Sequence, residues 1–100
     1  MNDKILNLLG ICRRAGRLTL GNDMVIEAMK DGSARLVVTA SDISKNTESK
    51  ILSACQQTGT PHLSLDKTRD EMSRALGRLC VVAAVCDSGF ANKLSELCNK

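Results

Sequence analysis

The chain is nearly devoid of aromatic residues: it has no tryptophan, no tyrosine and one phenylalanine, Phe90, in 100 residues. It therefore has no aromatic platform on which unstacked bases could lie, which excludes nucleic-acid binding by sheet-surface stacking. It has one histidine, His62, beside its one proline, Pro61, with no cysteine or serine–carboxylate set nearby in sequence. A catalytic triad cannot be assembled around it, so His62 reads as a structural or surface residue. Gly16 and Gly21 have the spacing of a phosphate loop, but Asn22 and Asp23 follow where Lys and Ser/Thr are required. No dinucleotide glycine fingerprint and no G-x-S-x-G turn occurs. With no nucleophile–base set, the expected class is non-enzymatic and without cofactor. An enzyme acting on a small phosphate compound is the weakest alternative.

Long apolar runs are also missing. None approaches the roughly 20 residues that span a bilayer, so no membrane partner is expected. The opening M-N-D-K-I-L-N-L-L-G has an acidic residue, an early glycine and no small-residue cleavage site, which predicts a cytoplasmic chain without a signal peptide. Cysteine is present but unpatterned: Cys12, Cys55, Cys80, Cys86 and Cys98 are odd in number and never two to four apart. That spacing argues against zinc, and most of the five fall in apolar helix or strand patterns, which predicts reduced, buried thiols and no metal.

What is present is a helix–strand alternation over a length that suits one domain, 1–100, with 43% hydrophobic residues and a net charge of +3. Ile5, Leu8, Leu9 and Cys12 recur at helical spacing, with Gly16 as a stop. A short strand is expected over Arg17 to Leu20. Asn22 is expected to cap a second helix with Val25, Ile26 and Met29 inward, closed by Gly32. Leu36 to Ala40 reads as a buried central strand. A third helix presents Ile51, Leu52 and Cys55 inward and ends near Gly59. His62 to Leu65 follows as a strand. Thr68-Arg69-Asp70-Glu71 is a capping box for a fourth helix with Met72, Ala75 and Leu76 inward. Cys80 to Cys86 is a second buried strand, and Asp87 caps a last helix carrying Phe90, Leu94, Leu97 and Cys98 on one stripe. The pattern predicts the α/β class, as a three-layer α/β/α sandwich around a small sheet.

Within that plan, Gly16 to Thr47 concentrates the candidate functional features. It places a helix N-terminus near Asn22 and a loop at Ala40 to Ser44, expected side by side at one end of the sheet, where small α/β domains bind phosphates. Arg13, Arg14 and Arg17 surround a helix C-terminus. Three arginines there exceed what a helix dipole requires, and guanidinium forks suit phosphate. Arg35, Arg74 and Arg78 extend the patch if they share its face. Asp42 is expected to act locally, accepting backbone N–H groups to fix the turn into the next helix.

Leu8-Leu9-Gly10-Ile11-Cys12-Arg13-Arg14-Ala15-Gly16, then Gly21, then Ala34-Arg35-Leu36-Val37-Val38 and Ala40-Ser41-Asp42-Ile43-Ser44-Lys45-Asn46-Thr47 resemble the small bacterial relatives of the kink-turn-binding ribosomal proteins, of the L7Ae and L30e type. Val81 to Leu94 resembles the end of those proteins, so the likeness runs from about Lys4 to Leu97. The resemblance implies a four-stranded mixed sheet and RNA binding through loops at one end. In the family, a Gly-x-Asn-Glu-x-x-Lys segment opens the second helix and meets sheared G·A pairs. Aligned on Gly21, the Asn falls on Asp23, the Glu on Met24 and the Lys on Glu27, all three different. Gly21, Asn22, Ala40, Ser41 and Asp42 keep the loop framework. A second contact region falls on Gly77 to Cys80, including Arg78 and Leu79. The expected function is recognition of structured RNA, ribosomal RNA included, by a ribosomal-protein-like domain. The alternative is a protein-interaction adaptor on the same scaffold, favoured by Met24 and Glu27.

Overall fold

The computed structural model describes residues 3–98. The elements in chain order are α1 (Lys4–Arg14), β1 (Leu18–Leu20), α2 (Asn22–Lys30), β2 (Leu36–Thr39), α3 (Lys45–Thr58), β3 (His62–Ser64), α4 (Arg69–Leu76), β4 (Val82–Val85) and α5 (Ser88–Cys98). The strands form one sheet in the order β1-β4-β2-β3. β4 is antiparallel to both β1 and β2, whereas β2 and β3 are parallel, so the sheet is mixed.

The two apolar runs take the central positions because every residue of β2 and β4 is buried. Side chains alternate across the pleat. Leu36, Val38, Ala83 and Val85 join Leu9, Cys12, Met72 and Leu94 on one face, under α1, α4 and α5. Val37, Val82 and Ala84 join Val25, Met29, Ile51 and Cys55 on the other, under α2 and α3. The expected α/β/α sandwich is thus formed from two aliphatic cores sharing one sheet.

Local chemistry sets most helix boundaries. Asp3 accepts from the Leu6 N–H at the start of α1, and Ser44 from the Thr47 N–H at the start of α3. Thr68 and Glu71 form the reciprocal capping box of α4, and Asp87 accepts the Phe90 N–H at 3.0 Å. The second helix departs from expectation. Its N-cap is Gly21, with no side-chain cap, and Asn22 is the first helical residue. β1 runs into α2 with no spacer, so Gly21 must turn the chain at φ 96°, where a side chain would be strained.

Two helix faces are rotated from the expected ones. On α3 the buried stripe is Ile51, Ala54 and Cys55, and Leu52 is 42% exposed. On α4, Met72 and Leu76 are buried while Ala75 is exposed, because this short helix lies along α1 and turns Ala75 toward the gap between them. Thr39 is the one buried polar residue among those described. Its hydroxyl is satisfied by His62 Nε2 at 2.9 Å.

Candidate functional site

Strand direction decides which loops meet. Leu20 at the end of β1 pairs with Ala83, and Thr39 at the end of β2 pairs with Val82. Gly21, Ala40 and Val81 therefore emerge at the same end of the sheet. The Ala40 N–H donates to the Val81 carbonyl at 2.8 Å, and the Ser41 N–H to the Lys67 carbonyl at 2.7 Å. Asp42 does not fix the turn into α3. Its Oδ1 accepts the Arg69 backbone N–H at 2.7 Å, and the Arg69 side chain donates back to the Asp42 carbonyl at 3.3 Å. Asp42 thus supplies one of the missing partners at the N-terminus of α4, 27 residues away, because Ser44 already caps α3.

Arg69, held this way, lines a concavity of about 440 Å³ together with Gly21, Asn22, Asp23, Leu79 and Val81. The loop Gly77 to Cys80 that supplies Leu79 is organised by Ser73. The Ser73 carbonyl accepts from the Gly77 and Arg78 N–H groups at 2.8 and 3.2 Å, and its Oγ accepts from the Cys80 N–H at 3.2 Å. Gly77 takes the left-handed conformation, φ 70°, that ends α4. The site thereby carries one exposed apolar side chain, Leu79 at 79%, and Met24, 57% exposed, lies on the first turn of α2 outside its lining. Asp23 and Glu27, both exposed, share an outer face of α2 with Lys30.

The arginines divide into separate places. Arg13 and Arg14 line a groove of about 570 Å³ between α1 and α4, with Arg74 on its other wall. Arg17 does not line that groove, although its N–H donates to the Cys12 carbonyl at 3.0 Å, one residue from Arg13. It precedes β1 at the opposite end of the sheet, where its carbonyl accepts the Cys86 N–H at 2.8 Å. Arg35 is at that far end too, donating its backbone N–H to the Val85 carbonyl at 2.7 Å. The turn at Ala15 and Gly16 folds back on α1, with the Gly16 N–H on the Arg13 carbonyl and the Arg17 N–H on the Cys12 carbonyl, both at 3.0 Å, so Arg17 stays beside the helix turn that carries Arg13 and Arg14. Arg78 is the arginine that belongs to the loop end.

Sequence reasoning missed Arg69 and Ser73. The capping box identified Arg69 as the first residue of α4, yet nothing local signalled its partner Asp42. Ser73 gave no signal, because a serine inside a helix is usually solvated.

The titratable groups at the core are committed to structure. Burial pushes the Cys12 thiol up to about 11, with the Asp87 and Cys86 charges adding to it, and its Sγ donates to the Arg17 carbonyl at 3.3 Å. Burial also raises Cys55, Cys80 and Cys98, though Arg13 and Arg78 pull Cys80 part of the way back. Burial lowers His62, and the nearby Glu48 charge opposes that shift. Among the described residues no group of three or more His, Cys, Asp or Glu is placed to hold a metal ion, and no helix is long and apolar enough to cross a membrane.

Comparison with known proteins places these features in a lineage. Residues 3–95 match the "Ribosomal protein L7Ae/L30e/S12e/Gadd45 family". A protein named RNA-binding protein YlxQ from Bacillus subtilis is 37% identical over 91 residues, covering 90% of each chain. Large ribosomal subunit protein eL30 from Methanosarcina mazei is 27% identical over 84 residues, covering 82% of this chain and 78% of its own. Among solved structures, a protein of unknown function from Bacillus halodurans superimposes with a TM-score of 0.93 at 34% identity, covering 99% of this chain and 100% of that one. The Giardia lamblia 15.5kD RNA binding protein shares the fold, with a TM-score of 0.76 at 20% identity over 99% of this chain and 88% of that one.

Proposed function

This chain belongs to the ribosomal protein L7Ae/L30e/S12e/Gadd45 family, and we propose that it is a ribosomal-protein-like RNA-binding protein that recognises structured RNA at the Gly21, Ala40 and Leu79 end of its sheet. The observation that carries this reading is the convergence of Gly21, Asn22, Asp23, Arg69 and Leu79 on one concavity. It combines a bare glycine turn, an amide, a carboxylate, a guanidinium and an exposed apolar side chain. Those groups suit a distorted RNA element, where splayed bases expose edges and faces that a regular A-form duplex hides. With only one aromatic in the chain, Leu79 supplies the apolar base contact in place of stacking rings. Arg78 supplies a phosphate contact, and Arg69, held by Asp42 Oδ2 at 3.6 Å, adds its remaining guanidinium donors. Ribosomal RNA is the natural target class for such a protein, and the cytoplasm its natural place.

Asp23, Met24 and Glu27 stand where the family's Asn, Glu and Lys are expected. They weaken recognition of a standard kink-turn by removing an amide donor, a carboxylate and a cation.

Equilibrium binding to a kink-turn RNA and to a plain duplex of equal length tests the proposal. The kink-turn should be preferred, and Asn22→Ala combined with Leu79→Ala should remove most of that preference. Equal binding to both RNAs, or a preference untouched by the double variant, overturns it in favour of the protein-interaction alternative.

A further inference from the structure

α1 and α4 run side by side in the same direction. The Asp3–Lys67 ion pair joins their N-terminal ends. At their C-terminal ends the Arg13 guanidinium lies over Gly77, so close that a Cβ there would stand 3.4 Å from Nη1. The groove between the helices has Gly10, Ala75 and Gly77 along it and Arg13, Arg14 and Arg74 on its walls. Among the described residues no carboxylate lines it. Arg74 is paired at 3.1 Å with Asp70, an exposed pair of little strength, while Arg13 and Arg14 have no ion pair among the described residues.

The groove lies next to the loop site along the chain. Gly77 ends it, and Leu79, two residues on, lines the concavity beside Asn22. Two successive Cα steps span at most about 7.6 Å. Arg13 and Arg78 both lie close enough to influence the Cys80 thiol, so the junction itself is flanked by cations.

We propose that this α1–α4 groove is a second RNA contact, seating the phosphate backbone of the stem that leaves the loop site past Arg78 and Leu79. The inference rests on the RNA-binding reading above and extends its footprint. Small residues let a ribose–phosphate chain approach the helix backbones, and the unpaired guanidinium forks hold its phosphates. The contact carries no sequence information; it positions the stem, as phosphate contacts do in protein–DNA complexes. An apolar helix fits the groove less well, because Ile11, 47% exposed, is the only large hydrophobic residue among the described residues lining it that is exposed.

The test compares one kink-turn RNA bearing short stems with the same RNA bearing long stems. Arg13→Ala with Arg14→Ala should cost about tenfold in affinity on the long-stem RNA and far less on the short one. On the long-stem RNA, the log–log salt slope should shrink by about 1.4–1.8, for two phosphates at 0.7–0.9 each. Arg13→Lys with Arg14→Lys should keep most of the slope, because charge is retained. Ala75→Glu, at an exposed helical position, should weaken long-stem binding independently. Unchanged affinity and slope in both the double alanine variant and Ala75→Glu overturns the proposal and leaves the groove to a partner of another class, such as an acidic peptide. Failure of the underlying reading looks different: the unaltered chain then binds neither RNA, or binding to the short-stem RNA ignores Asn22 and Leu79.

Discussion

Ser73 illustrates how much one side chain can decide. It is a helical serine whose Oγ accepts the Cys80 N–H at 3.2 Å and so ties the Leu79 loop to α4. Ser73→Ala leaves that part-buried N–H without its partner, at about 1 kcal/mol, against a gain of up to about 0.5 kcal/mol in helix propensity. Urea unfolding should show a small net loss of stability, and RNA affinity should fall by more than the stability change implies, because the loop is freed. An unchanged affinity would show that the loop is held by its backbone alone. His62 makes a second residue-scale case. Burial lowers its pKa in the folded state below the ordinary 6.5, so the ring is neutral at pH 7 while engaged with Thr39. A depressed folded pKa contributes stability that is present above the unfolded value and lost as pH falls through the folded one. Stability should therefore decline as pH drops below about 6.5. His62→Gln should flatten that decline; a variant with the same pH dependence would assign it to another group.

At the scale of elements, α2 carries the clearest conflict between inheritance and present sequence. The Gly21 turn delivers the helix to the loop end, but Met24 is 57% exposed there and Glu27 presents a carboxylate on an outer face. If α2 still faces RNA, Glu27→Lys removes a repulsion and adds a charge-assisted contact, together about 1–2 kcal/mol on a kink-turn. The gain on a plain duplex should be smaller. Equal gains on both RNAs, measured by equilibrium titration, would mean that this face no longer recognises anything specific. The helix faces also show the limit of local periodicity. Leu52 was an equally good inward candidate by spacing, yet Ala54 took the buried position on α3, since a helix crossing a narrow sheet buries only a thin stripe.

For the whole molecule, the two cores on either side of one sheet govern the thiols. Cys12 and Cys80 are buried in one core and Cys55 in the other, while Cys86 and Cys98 are half-buried at the edges. Burial suppresses the thiolate that reacts. Under native conditions Cys12, Cys55 and Cys80 should label slowly with a thiol reagent, and Cys86 and Cys98 first; all five should label at once in denaturant. Rapid native labelling of Cys12, Cys55 or Cys80 would mean that the core containing it opens readily.

The order and kind of elements were determined by the sequence alone, because periodicity, capping and apolar runs act within a few residues. The capping box at Thr68 and Glu71, the Asp87 cap and the buried runs at Leu36 and Val82 were legible for that reason, as was the family through its motifs. The location of the candidate site is half legible: Gly21, Asn22 and Asp42 stand out in the sequence, but the local pattern assigns Asp42 to the turn into α3, whereas its partner is the Arg69 N–H 27 residues away. What only tertiary structure decided is which distant groups meet. Strand pairing brings Val81 to Ala40 and Asp42 to Arg69, and it joins Arg17 to Cys86 at the other end of β1. A sheet joins residues by register across tens of positions, and no local pattern encodes that register.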